Sequence, residues 1–81
     1  MKTLYVRLMD EGTEVFRPTE AELLSDGCFK LLPIEGYDPD DENWEFPPGS
    51  IVRAIERKLD GEKALIAVRV DYDGDKNELS V

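Results

Sequence analysis

The sequence lacks histidine altogether and contains one cysteine, Cys28. Histidine is the usual general base, and a common metal ligand, near neutral pH. No serine or threonine lies in a glycine elbow or beside a partner base, and only carboxylates are available to activate Cys28. We therefore expect no enzymatic activity, no catalytic residue, no metal site and no cofactor.

A single cysteine cannot form an internal disulfide, and a small secreted domain without disulfides or metal is unusual. The sequence also has no run of about 18 apolar residues. Charge at Lys2 and Arg7 interrupts the N-terminal segment too early for a signal peptide. These absences favour a cytoplasmic protein whose mature chain begins at Met1.

Basic residues are scarce, with ten lysines and arginines against nineteen acidic residues and a formal net charge of -9. Nucleic acids and anionic membranes attract proteins through cations, so both are excluded as expected partners. Solubility explains such a charge, and so does a surface that contacts a basic protein. The length of 81 residues predicts one domain, residues 1–70, followed by an acidic tail, residues 71–81.

Alternating apolar residues predict a strand from Lys2 to Met9, and β-favouring residues resume at Glu14–Phe16. These two segments fit a hairpin or a bent pair. The clearest hairpin in the sequence joins Ser50–Lys58 to Glu62–Val70, because both runs are apolar and an Asp-Gly turn separates them.

The segment from Arg17 to Gly27 fits two interpretations. Thr19 followed by Glu22 is a possible capping box that would begin a short helix. Alternatively, one strand face carries Thr19, Ala21 and Leu23, and a turn at Ser25–Gly27 leads into a strand at Cys28–Leu32. We favour the strand, because so short a helix is marginal without packing.

About five short strands joined by tight turns predict an all-β fold, since closure protects a small sheet from open edges. An SH3-like barrel of antiparallel strands with one long acidic loop fits this count. Cys28 follows a turn in an apolar segment, where we expect a buried thiol acting as a small hydrophobic group.

The long loop, Pro33–Gly49, contains six acidic residues between Glu35 and Glu45. Aromatic residues interleaved with acids can form a groove for a basic peptide, as in SH3-type ligand sites. Alternatively, the large aromatics fold inward and leave only the acids outside, because a small domain needs its apolar groups in the core. The candidate partner-binding residues are Tyr37, Asp40, Asp41, Glu42, Trp44 and Phe46.

The end of the sequence alternates acids in a pattern that suggests calcium, at Asp71, Asp73 and Asp75. A calcium loop of the EF-hand type has glycine at its sixth position and glutamate at its twelfth. Here Gly74 is fourth, and the sequence ends at Val81. A solvated acidic tail is therefore the preferred interpretation, and we interpret the acids of residues 38–42 in the same way.

Several short motifs occur in a recognisable order: Val15-Phe16-Arg17-Pro18, Ala21-Glu22, Asp26-Gly27 and Trp44-Glu45-Phe46-Pro47-Pro48-Gly49-Ser50-Ile51-Val52-Arg53. The chain resembles a group of short, uncharacterised bacterial proteins with an Arg-Pro turn, an Asp-Gly hairpin and a Trp-Glu-Phe-Pro-Pro-Gly segment. The resemblance extends to about Val70 and implies an SH3-like barrel. It implies no activity, ligand or catalytic residue.

Three functional hypotheses follow from these observations. The first is a non-enzymatic protein-interaction domain that contacts a basic partner protein. The second is an acidic inhibitor or immunity-type protein, as phages encode, whose carboxylates imitate the charge of nucleic acid. The third is a protein that binds a divalent cation or a small molecule.

Overall fold

The computed structural model describes residues 1–71. These residues form five strands and no helix, which confirms the predicted all-β fold. The strands are β1 (Lys2–Arg7), β2 (Phe16–Leu23), β3 (Phe29–Leu31), β4 (Ile51–Leu59) and β5 (Glu62–Val68). Within the same range, no helix is long and apolar enough to cross a membrane.

The strands form one sheet in the order β1-β2-β3-β4-β5, and each consecutive pair is antiparallel, as predicted. The sheet closes because β1 also pairs with β5, through Tyr5 and Ile66. This closing pair is parallel, a detail that the sequence did not indicate. The reason is geometric: when five neighbouring strands alternate in direction, the first and the fifth run the same way.

Strand β2 is longer than the sequence indicated. We expected separate strands before and after the Arg17-Pro18 step, but β2 continues through it, and Pro18 pairs with Tyr5. Strand β3 pairs with β2 only at Ala21–Leu23, so among the described residues no strand flanks the other side of Pro18. A proline that donates no hydrogen bond is tolerated at such an edge. The strand interpretation of this segment is thereby confirmed over the helix.

The core lies between the inner faces of the strands and is closed at one end by the long loop. Alternation along β1 buries Leu4 and Val6 completely. The other members of the core cluster are Leu8, Ala21, Phe29, Leu31, Trp44, Val52 and Ala67. Cys28 is buried, as predicted. Leu23 was predicted on the same strand face as Thr19 but is 60% exposed, because it ends β2 beyond the core.

Two turns with left-handed backbone fix how the later strands enter the sheet. Asp60 and Gly61 have φ values of 52° and 84°, the combination that a two-residue type I′ hairpin turn requires. At the end of the long loop, the amide of Ser50 donates to the carbonyl of Pro47 over 3.1 Å, and Gly49 has a φ of 94°. This second turn is a type II turn that leads the chain into β4.

Candidate functional site

Trp44 is inserted in the core, where the long loop meets the end of β1. It forms an antiparallel bridge with Leu8, and its side chain is 4% exposed. Backbone bonds flank the bridge: the amide of Met9 donates to the carbonyl of Asn43 over 2.6 Å, and the amide of Glu45 donates to the carbonyl of Arg7 over 2.9 Å. The Trp44 ring therefore lies inward, in the second of the two arrangements predicted for the loop.

The other two aromatic residues of the loop are half-buried. Tyr37 contacts Trp44 edge to face, with ring centroids 5.0 Å apart and an angle of 71° between planes. Phe46 packs against the same core cluster. Edge-to-face packing stabilises aromatic pairs beyond their buried area. The three rings thus attach the loop to the domain, and the loop presents no fully exposed aromatic side chain.

Glu42, another candidate residue, makes internal contacts through both carboxylate oxygens. Its Oε1 accepts a hydrogen bond from Nε1 of Trp44 over 3.0 Å, and its Oε2 accepts one from Nε of Arg17 over 2.6 Å. The bonds from Arg17, then from Trp44, lower the pKa of Glu42 from its usual value, while Glu42 raises the pKa of Arg17. Glu42 therefore links the loop to β2.

The remaining candidates, Asp40 and Asp41, lie on an exposed turn that begins at Asp38. The Asp40 amide donates to Oδ1 of Asp38 over 2.9 Å, and the amides of Asp41 and Glu42 donate to the Asp38 carbonyl over 3.0 Å. Within residues 1–71, neither Asp40 nor Asp41 forms a salt bridge. Of the six candidates, these two are the exposed carboxylates available to a partner.

The structure adds Asp10, Glu11 and Glu14 to the acids of the long loop. Residues 8–15, between β1 and β2, lie beside the long loop, and Nδ2 of Asn43 donates to Oδ2 of Asp10 over 2.9 Å. We name residues 8–15 and residues 32–50, the stretch between β3 and β4 that contains the long loop, the acidic loop pair. They contain no lysine or arginine and nine acids: Asp10, Glu11, Glu14, Glu35, Asp38, Asp40, Asp41, Glu42 and Glu45.

Charge is distributed unevenly over the domain. The β4–β5 hairpin, Ile51–Val68, contains four basic and three acidic residues, so it is nearly neutral. The acidic loop pair, by contrast, is strongly negative, and within residues 1–71 the cation that pairs with it is Arg17, which binds Glu42. The negative potential of the described residues is therefore concentrated on the two joined loops.

No group of three or more acidic or cysteine side chains in the described part of the chain is arranged to hold a metal ion. Asp73 and Asp75, the other candidates for calcium, lie outside the described residues, as does most of the predicted acidic tail. Comparison of the chain with protein families, curated proteins and solved structures finds no match.

Proposed function

We propose that this chain is a non-enzymatic protein-interaction domain whose acidic loop pair contacts a basic surface of a partner protein. One observation carries the proposal: two segments that contain nine acids and no lysine or arginine are joined by the Leu8–Trp44 bridge and the Asp10–Asn43 hydrogen bond.

We also propose that the closed sheet is an SH3-like barrel. The supports are the strand count, the pairing of β1 with β5 and the resemblance to short bacterial proteins.

The acidic loop pair is suited to guiding association. Exposed carboxylates such as Asp40 and Asp41 interact with a partner through a strongly screened field, so they add more to the association rate and to specificity than to affinity. The loops also present these charges in a fixed arrangement, because Trp44 is buried in the core and Asp38 organises the turn. A preformed surface limits the entropy lost on binding.

A pair of variants with equal charge tests this proposal. Asp40→Asn/Asp41→Asn removes two charges from the acidic loop pair, whereas Glu20→Gln/Glu22→Gln removes two exposed charges from β2. Proteins captured from a lysate by each immobilised variant are identified and compared with those captured by the unchanged chain. A basic partner that is lost from the first variant and kept by the second supports the proposal. Equal capture by both variants contradicts it.

The inhibitor hypothesis rests on the same carboxylates and differs in the partner. If the acids imitate phosphates, the captured protein binds nucleic acid in the same cleft, and duplex DNA displaces the domain from it. If the partner is basic but uses another surface, DNA does not compete. Competition with DNA therefore assigns the partner to one of the two hypotheses.

A further inference from the structure

A groove of about 700 Å³ lies between the β4–β5 turn and the start of β2. The aromatic side chains of Tyr5 and Phe16 line it. In the register of β1 and β2, Tyr5 is opposite Pro18 and Phe16 is opposite Arg7, so both aromatics project from the same face. Both are half-buried and neither belongs to the core cluster, so they provide the groove with an apolar wall.

The rim of the groove carries three acids and two lysines. Glu14, Asp60 and Glu62 are exposed along it. Lysines also line the groove, but Nζ of Lys63 lies 3.9 Å from Oε1 of Glu56, which leaves Lys58 as the lining cation without an ion pair among residues 1–71. Because Glu14 also belongs to the acidic loop pair, the groove is continuous with the surface proposed to contact a basic partner.

A strand edge runs beside the groove. β1 and β5 pair only at Tyr5 and Ile66, so within the described range the segment Glu62–Leu65 pairs with β4 alone. A second hollow of about 350 Å³ follows this seam and is lined by Thr3, Tyr5 and Ala64, among others. An extended peptide can add to such an edge through main-chain hydrogen bonds, with alternate side chains entering pockets.

We propose that this groove binds an extended segment of the partner in which lysine or arginine alternates with apolar residues. The apolar side chains pack on Tyr5 and Phe16, and the cations approach the acids of the rim. The inference rests on the proposed function and specifies the kind of segment that the partner presents. The groove would offer the partner a concave apolar surface in addition to the charges of the acidic loop pair.

Three peptides of about eight residues, a length typical of strands, test the groove. One alternates lysine with valine, the second lysine with glycine, and the third glutamate with valine. The full chain should bind the lysine–valine peptide most tightly, measured by fluorescence anisotropy. The amides of Tyr5, Phe16 and Ala64 should show the largest NMR shifts. Equal affinity for the lysine–glycine peptide would exclude a contribution from the apolar wall and overturn the proposal.

Asp60→Asn/Glu62→Gln removes two rim charges while asparagine preserves the left-handed turn. This variant should bind the lysine–valine peptide about tenfold more weakly, whereas Asp40→Asn/Asp41→Asn should change its affinity much less. If Asp40→Asn/Asp41→Asn instead weakened peptide binding more than Asp60→Asn/Glu62→Gln, and the NMR shifts were confined to residues 38–45, the groove would be refuted and the proposed function would remain intact. If the groove result holds but partner capture does not depend on Asp40 and Asp41, the proposed function fails instead.

Discussion

The carboxylate of Glu42 joins the indole of Trp44 to the guanidinium of Arg17, with contacts of 3.0 and 2.6 Å. One side chain thus connects a buried ring of the long loop to the exposed Arg17 side chain near the start of β2. Burial of an indole N–H is tolerated when it finds an acceptor, and Glu42 provides that acceptor. The acidic loop is therefore part of the folded domain, and its charge is placed by contacts with the core.

The stability of the domain should depend on pH through Glu42. The pKa of Glu42 is lowered, chiefly by Arg17, from its usual value of 4.5. A group with a lowered pKa in the folded state contributes stability above its unfolded pKa, and the contribution is lost as pH falls through the folded pKa. Urea unfolding should therefore show that Glu42→Gln is less stable than the unchanged chain above about pH 5, with the difference shrinking at lower pH.

Arg17→Gln provides the control for this experiment. When Glu42→Gln is made in a chain that already carries Arg17→Gln, the pH-dependent part of its effect should largely disappear, because the main cause of the lowered pKa is gone. If Glu42→Gln alone changed the stability by the same amount from pH 3 to pH 7, that result would contradict the contact between Glu42 and Arg17.

Trp44 is buried in the core. Replacing it with alanine should reduce the free energy of unfolding by about 3–5 kcal/mol, a typical cost for removing a large buried aromatic side chain. Trp44→Phe should cost less, because most of the core volume is kept. Ile51→Ala is a suitable control, since Ile51 is 45% exposed. Chemical unfolding of the three variants measures these differences.

Fluorescence of the unchanged chain gives an independent check, because Trp44 is the one tryptophan in the sequence. Its emission should be blue-shifted, and acrylamide, an uncharged quencher that the acidic loops do not repel, should quench it weakly until the protein unfolds. Emission of a fully hydrated indole from the folded protein would show that the ring lies outside the core.

The turn between β4 and β5 requires a left-handed backbone at Asp60 and Gly61. Gly61 has a φ of 84°, so Gly61→Ala should reduce stability by about 1 kcal/mol or more. Asp60→Asn should change stability little, because asparagine adopts a positive φ readily. Thermal unfolding of the two variants measures both effects. If Gly61→Ala left the stability unchanged, that result would be incompatible with the type I′ turn.

Much of the fold could be predicted from local sequence. Alternation located β1, and the Asp-Gly turn located the β4–β5 hairpin, because both depend on residues close together in the chain. The continuation of β2 through Pro18 could not be predicted locally, since it depends on which side of the strand has a neighbour. The parallel seam depends on the number of strands, which a single segment does not reveal.

The candidate site could be predicted only in part. The sequence indicated the acidic loop and allowed an inward Trp44, but it gave no sign that Leu8 pairs with Trp44. That contact joins residues far apart in the chain, and it is the reason that Asp10 and Glu11 lie near the long loop. The sequence alone did not show that their charges belong to a larger acidic surface, because that depends on the tertiary structure.

If the acidic loop pair guides binding to a basic partner, the association rate measures that effect most directly. With a captured partner, surface plasmon resonance compares the unchanged chain, Asp40→Asn/Asp41→Asn and Glu20→Gln/Glu22→Gln at low and physiological salt. We predict that the first variant associates severalfold more slowly at low salt and that the difference narrows as salt rises, while the second variant stays near the unchanged chain. Equal association rates for the two variants at low salt would contradict the claim.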